Sequence, residues 1–321
     1  MKALQLDIDG RPALKSLPCP EPGPGETLLR VSHCAICRTD AKMSLAGHRD
    51  LSLPRVPGHE IVGKDETDGS FYLVWPGHAC EACEPCRSGR ENLCDRMRIL
   101  GFHRDGGFAQ WVTVPKASLI PVSPGLPGRI ACLTEPLACT LNALELSGLS
   151  AGQRVLIFGA GPVGLMMALS AHSLGALVHI VECDSLKLEL SGRFREAVGV
   201  EASTGCPDEP YHVAVNAAPS PVTLQQGISR LKPGGLFCLF SGFIGDFSIP
   251  GALLNELHYR QLRVAGAYGC TRKNMMQALS LLADHARIAE LLIEEVIGLE
   301  ESVDAMDRML SARTMKFVIE F

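Results

Sequence analysis

The chain lacks most of what would make it a membrane or nucleic-acid protein. It has no long hydrophobic run: stretches such as Val155–Phe158 and Leu165–Leu169 fall far short of the roughly 20 apolar residues a bilayer span needs. It has no dominant charge, the formal net value being -5 with a pI of about 6.1. No electrostatic argument for nucleic acid or an anionic membrane follows. Aromatic residues are sparse at 5%. Internal repeats and low-complexity segments are absent. The first residues, MKALQLDIDGRPAL, carry Asp7 and Asp9 and no apolar core, so they do not read as a signal peptide. A cytoplasmic location is the default expectation.

What is present is ordinary globular composition, 46% hydrophobic and 20% charged over 321 residues, enough for two domains. Cysteine is the exception. Thirteen cysteines, an odd number in a chain with no export signal, argue against a disulfide framework. Four fall in one cluster, Cys80, Cys83, Cys86 and Cys94, within CEACEPCRSGRENLC. A structural zinc wants four ligands in a tetrahedron, and four thiolates are a common set. An iron–sulfur site is the alternative, although Cys94 lies too far from Cys86 for the bacterial ferredoxin spacing.

The chain changes texture near its first third. Up to about Pro127 it is rich in Gly and Pro, with short apolar runs at Thr27–Val31, Phe71–Val74 and Trp111–Val114 that read as strands of an irregular β domain. Arg129–Leu146 then shows helical spacing. From Arg154 strands and helices alternate: strands at Arg154–Phe158, Leu177–Val181, Val213–Asn216, Leu236–Phe240 and Leu262–Ala265, with helices at Leu165–Leu174, Asp184–Val198 and Pro221–Leu231. Such alternation implies a parallel, doubly wound sheet. Lys273–Ala283 and Ser302–Leu310 read as helices, and Lys316–Phe321 as a closing strand.

Residues 155–164, VLIFGAGPVG, place Gly159, Gly161 and Gly164 in a G-x-G-x-x-G pattern between an apolar strand and a helix that opens with Pro162 and Val163. That context is what a dinucleotide turn requires: a tight turn, close approach of backbone to a pyrophosphate, and close helix–strand packing. Glu182, ending the second strand, is placed to accept hydrogen bonds from an adenosine ribose and to repel a 2′-phosphate. NAD(H) is therefore favoured over NADP(H).

Upstream stand two further elements, Cys37-Arg38-Thr39-Asp40 and Gly58-His59-Glu60. Neither is specific alone. Taken in order with the cysteine cluster and the glycine turn, and with GGFAQWVTVP at 106–115 and TMKFVIEF at the end, they resemble the zinc-containing branch of the medium-chain dehydrogenase/reductase superfamily. The resemblance covers essentially the whole chain. It implies an α/β protein with a GroES-like irregular β-barrel catalytic domain, residues 1–139 and 271–321, and a Rossmann NAD-binding domain, residues 140–270, with the active site in the cleft between them.

The same resemblance implies two zinc ions per chain. The four clustered cysteines would hold the structural one. Cys37 and His59 would bind the catalytic one, with Glu60 beside it. Its third fixed ligand would be Glu135, in an EPL signature like that of sorbitol and threonine dehydrogenases, or alternatively Cys139. The zinc would act as a Lewis acid on an alcohol whose hydride passes to NAD. Thr39 would begin the proton path. The histidine that often ends that path is replaced by Lys42, so Lys42, a water or His48 must serve instead, or the path is shortened. Arg38 and Lys316 resemble pyrophosphate-contacting positions, and Lys187 a ribose-contacting one.

YGCTRKNMMQALSLL at 268–282 is most similar to polyol- and amino-alcohol-oxidising relatives. His48 and Arg49 lie in a loop that could border the cleft and meet a polar or anionic substrate. A small alcohol or carbonyl substrate and a homodimer or homotetramer are the partners this reading expects. Competing readings are a zinc-free quinone reductase-like enzyme and a non-catalytic NAD-binding zinc protein.

Overall fold

In the computed structural model, which describes residues 1–243 and 245–321, the chain divides into two units. One comprises Met1–Glu135 and Cys270–Phe321; the other is Pro136–Gly269.

The first unit is built on a seven-stranded sheet. Its order is Ile293–Ile297, Lys316–Glu320, Glu26–Ala35, Glu60–Asp65, Phe71–Val74, Leu119–Pro121, with Trp111–Pro115 also pairing Glu26–Ala35. All pairs are antiparallel except Ile293–Ile297 with Lys316–Glu320. The ten-residue strand Glu26–Ala35 is the hub, because three other strands pair with it. Its inward residues Leu29, Val31 and Cys34 join Ile61, Phe108, Val112, Phe317 and Ile319 in the core. That core fixes where the strand ends fall: Glu60 opens the strand Glu60–Asp65, and Cys37 follows the end of Glu26–Ala35 by two residues.

The second unit holds a six-stranded sheet, all parallel, ordered Glu201–Ser203, Leu177–Val181, Arg154–Phe158, Tyr211–Asn216, Leu231–Leu239, Arg263–Gly266. Counted along the chain, the order is 3-2-1-4-5-6, the doubly wound dinucleotide arrangement. The central strands Arg154–Phe158 and Tyr211–Asn216 are near-continuous buried apolar runs, as a parallel sheet covered on both faces requires. The helix Pro162–Ser173 is buried from Gly164 through Ala171. A helix apolar on all sides belongs in a core. Its one buried hydroxyl, Ser170, is paired with Thr140 at 2.9 Å.

Two helical stretches depart from the sequence expectation. The helical stretch Asp184–Val198 is two helices, Ser185–Leu190 and Gly192–Val198. Ser191 breaks it: the hydroxyl donates to Leu188 O at 3.0 Å, and Arg195 folds back onto both Ser191 Oγ and Leu188 O. Arg129–Leu146 is likewise two helices, Gly128–Ala131 and Thr134–Ser147. Among the described residues no helix is long and apolar enough to cross a membrane.

Candidate metal centre and nucleotide turn

Cys37 is the N-cap of the helix Arg38–Ala46. Its Sγ accepts from Thr39 N–H at 3.4 Å, while Asp40 Oδ2 accepts from Cys37 N–H at 2.9 Å. This reciprocal cap satisfies two orphan amides and fixes the thiol's direction. Asp40 is fully buried and also reaches the neighbouring element: Oδ1 accepts from Gly58 N–H at 3.3 Å and lies 3.3 Å from His59 Nδ1. One carboxylate thus bonds the cysteine's amide and faces the histidine as its ion-pair partner. A carboxylate at Nδ1 leaves Nε2 of the imidazole for a metal.

The structure brings Cys37, His59 and Glu60 together, their ligand atoms all within 4.8 Å of one another. Burial disfavours charge on His59, but Asp40 and then Cys37 outweigh it and hold the pKa well above the usual histidine range. Glu60 is fully buried. Its Oε1 accepts from Lys316 Nζ at 2.6 Å, and its Oε2 has no hydrogen-bond partner. Burial pushes the Glu60 pKa up to about 7, with Lys316 opposing the rise and Glu135 adding to it. A divalent ion would give the orphaned oxygen a partner, and thiolate, imidazole and carboxylate are the donor types zinc takes.

The other expected residues fall as follows. Glu135, 9% exposed, is in the first turn of Thr134–Ser147 and acts on the Glu60 carboxyl. Cys139, half-buried, lies one helical turn further on, within the second unit. Thr39 and Arg38 are half-buried on the first turn of their helix. Arg38 Nε is buried without a partner, and its Nη2 donates to Leu310 O at 3.5 Å. Lys42 is also half-buried; burial, then Arg38, lowers its pKa, with Cys37 opposing.

Lys316, expected at a pyrophosphate, meets a carboxylate in this structure. It is 3% exposed and spends its ammonium on Glu60. Burial disfavours that charge, but Glu60 and then Cys37 more than offset it, so the pKa lies above the ordinary lysine value. Its strand, Lys316–Glu320, pairs with Ile293–Ile297 on one side and Glu26–Ala35 on the other, and its residues from Lys316 to Ile319 are all buried.

Cys80, Cys83, Cys86 and Cys94 form a second cluster, again with ligand atoms within 4.8 Å of one another. The loop closes through backbone amides. Cys94 Sγ accepts from Cys80 N–H at 3.2 Å and Arg96 N–H at 3.3 Å. The amide of Ala82 is the main cause of a Cys80 pKa lowered to about 5. Amide donors aimed at sulfur stabilise thiolate, the form a metal requires. Gly89, φ +72, turns the chain between Cys86 and Cys94.

In the second unit, the strand Arg154–Phe158 runs into Gly159 at φ +115, a conformation that favours glycine. A side chain at Gly164 would collide with the Gly159 carbonyl, whereas one at Gly161 would meet nothing within 4 Å. The first pair packs the turn; the third position leaves space. Gly161 caps the helix Pro162–Ser173, with Pro162 and Val163 opening it. Glu182, 5% exposed, accepts from Ala160 N–H at 3.0 Å and Asp184 N–H at 3.0 Å, with Lys187 Nζ 3.9 Å away. The acid and the turn are therefore joined directly.

Residues 23–124 match the alcohol dehydrogenase GroES-like domain. D-altritol 5-dehydrogenase of Agrobacterium fabrum is 31% identical to this chain, covering 94% of each. The chain belongs to the zinc-type medium-chain dehydrogenase/reductase superfamily. L-galactonate-5-dehydrogenase of Escherichia coli is 28% identical to this chain, covering 85% of each. Among solved structures, a dehydrogenase of Sinorhizobium meliloti bound to NADP has a TM-score of 0.88 at 28% identity, covering 100% of this chain and 99% of that one. As a medium-chain dehydrogenase the chain is an oxidoreductase.

Sequence reasoning gave no role to Asp40, although the Cys-x-x-Asp spacing ahead of a helix is a capping-box signal. It also gave none to Phe102, whose ring lies 5.2 Å from that of His59. No spacing in the sequence points to that contact.

Proposed function

We propose that this protein is a zinc-dependent, NAD-linked dehydrogenase that oxidises a secondary hydroxyl of a linear polyol or a sugar-derived acid, or reduces the matching ketone. The observation that carries the reading is the cluster of half-buried Cys37 with buried His59 and Glu60, with Asp40 bonded to the first and facing the second, and Glu60 Oε2 left without a partner. The substrate class follows the names of two relatives, each a 5-dehydrogenase of a polyhydroxy compound.

In this reading, Cys37 and His59 hold the catalytic zinc, Glu60 stands beside it, and Glu135 completes the set, with Cys139 as the alternative. Cys80, Cys83, Cys86 and Cys94 hold the structural zinc. When bound, the catalytic zinc supplies a Lewis acid and NAD the hydride acceptor.

The chain's own residues do the rest. Asp40 keeps the imidazole in the ligating tautomer. Lys316 balances the charge of Glu60 in a buried setting. Thr39 presents the hydroxyl that takes up the substrate proton, and Lys42, one helical turn on, leads it outward. In the second unit the pyrophosphate meets the free amides at the helix start, those of Gly161 and Val163 on either side of Pro162. In the first unit Arg38, with an unpartnered buried nitrogen, is a pyrophosphate-contacting candidate. Glu182 accepts the ribose hydroxyls and Lys187 supports it; the carboxylate disfavours a 2′-phosphate, so NAD is preferred to NADP. The unit comprising Met1–Glu135 and Cys270–Phe321 is the catalytic domain, and Pro136–Gly269 the cofactor domain.

Elemental analysis of wild type beside Cys37→Ser tests this. The expected outcome is two zincs per chain falling to about one, with NAD-linked oxidation of a hexitol lost. One zinc in both proteins, or full turnover in Cys37→Ser, defeats the zinc mechanism.

A further inference from the structure

The helix Arg38–Ala46 stops at Gly47, φ +67, and the chain returns through the segment from His48 to Leu53. That return is anchored. Ser52 N–H donates to Phe102 O at 3.1 Å, and Leu51 and Leu53 pack on a small cluster of Leu6, Met43 and Phe102. The Phe102 ring is in contact with two imidazoles. His48 meets it edge-on at 5.1 Å between centroids, and His59 lies 5.2 Å from it. His48 is therefore held one aromatic ring away from a member of the metal cluster.

The hydrogen on His48 is fixed as well. Asp50 N–H donates to His48 Nδ1 at 3.2 Å. An amide nitrogen can only donate, so Nδ1 carries a lone pair and the neutral ring carries its hydrogen on Nε2. Burial lowers the His48 pKa and so favours the neutral ring, with Asp50 opposing. His103, next to Phe102 in the chain, is set the same way: its Nδ1 accepts from Ile99 N–H at 3.1 Å. No acceptor for His48 Nε2–H is found among the described residues, and the side chain is 27% exposed.

This arrangement argues against one role and for another. A proton relay must take up a proton, and His48 could do so only at Nδ1, by giving up the Asp50 amide. It does not replace the histidine that is missing at Lys42. An Nε2–H that the bond at Nδ1 fixes in place, open to solvent on an otherwise largely covered ring, is free to donate to a ligand oxygen.

We propose that His48 is a substrate-binding residue, its Nε2–H donating to a hydroxyl or carboxylate oxygen of the polyhydroxy substrate away from the reacting carbon. It thereby selects polyhydroxy compounds over simple alcohols. The proposal rests on the dehydrogenase reading above. A sugar alcohol and a sugar acid share the acceptor oxygen; exposed Arg49, the next residue, would add to the binding of the acid.

The test compares wild type, His48→Phe and His48→Gln, each assayed for zinc content and thermal stability, on a hexitol, a hexonate and 2-butanol with NAD. The expected result is a KM raised about tenfold by His48→Phe for the hexitol or hexonate, a 2-butanol KM unchanged, and recovery in His48→Gln, which keeps an amide donor. A rise confined to the hexonate identifies the carboxylate as the partner. Equal losses on all three substrates, or no loss on any, overturn the role of His48 while wild-type turnover upholds the dehydrogenase reading. Wild type inactive on all three overturns both. Imidazole ¹⁵N NMR of the wild type gives a readout independent of the variants: a His48 ring protonated at Nδ1 also overturns the proposal.

Discussion

At the scale of single residues, the informative contrast is between the groups that would touch a metal and the one that arranges them. Asp40 ligates nothing, yet it accepts from Cys37 N–H and Gly58 N–H and stands 3.3 Å from His59 Nδ1. Asp40→Asn keeps the shape and an oxygen for the cap, but removes the negative charge that holds the imidazole tautomer. The expected outcome is zinc bound at the Cys37–His59 site about 10- to 100-fold more weakly, with the four-cysteine ion retained. Chelator competition followed by zinc release reads this directly. Unchanged affinity would reduce Asp40 to a helix cap. Lys316 shows the same logic from the opposite charge: a buried carboxylate and a buried ammonium at 2.6 Å are each intolerable alone.

At the scale of elements, the strand Glu60–Asp65 has a polar anchor at each end. Asp65 closes the turn to Phe71–Val74. It accepts from Thr67 N–H at 2.9 Å, Thr67 Oγ at 2.6 Å and Thr27 Oγ at 2.9 Å. These bonds, the Thr67 hydroxyl first and against some burial, hold its pKa below the ordinary 3.8. A folded-state value below the unfolded one stabilises the fold fully above the unfolded pKa and is lost as pH falls through the folded value. Asp65→Asn should cost about 1 kcal/mol near neutral pH, the gap from wild type closing in acid. Urea titrations of both proteins across that range check it; a gap constant with pH would make the turn a matter of shape, not charge.

How legible each element was in the sequence depends on how local its determinants are. The strand–glycine–helix passage at Arg154–Ser173 could be read in advance because apolar run, positive-φ turn and packing glycine are all adjacent in the chain. The break at Ser191 could not, because it arises from an arginine folding back onto a serine and a carbonyl. Nor could the early start of Leu231–Leu239, where Leu231 pairs with Tyr211 and the ladder resumes only at Leu236 with Val213, so that Lys232-Pro233-Gly234-Gly235 lie unpaired within the register shift. In the site, Cys37, His59 and Glu60 were legible through their motifs. The Glu60–Lys316 pair joins residues 256 apart in sequence, and only the sheet brings them together.

At the scale of the whole molecule, the two units carry separate chemistry and separate cores. One core gathers around Leu29, Ile61, Phe108 and Phe317; another gathers Leu156, Tyr211, Ile228 and Phe237 in the second unit. Both candidate metal clusters that are built within a single unit, Cys37–His59–Glu60 and the four cysteines, belong to the first; the glycine turn and Glu182 belong to the second. A ligand that binds only the folded state raises stability by RT ln(1 + [L]/Kd), about 2.7 kcal/mol at a concentration 100 times Kd. Zinc should therefore act on the first unit and nucleotide chiefly on the second, which holds the glycine turn and Glu182. Calorimetry should resolve two transitions: a chelator lowers one of them, and NADH raises the other, NADPH raising it less because Glu182 opposes the 2′-phosphate. The first unit is assembled from segments on both sides of the second, so its unfolding leaves Pro136–Gly269 a continuous chain able to keep its own sheet. One transition, shifted alike by chelator and by nucleotide, would show that the two units unfold together and that neither ligand acts on its own unit alone.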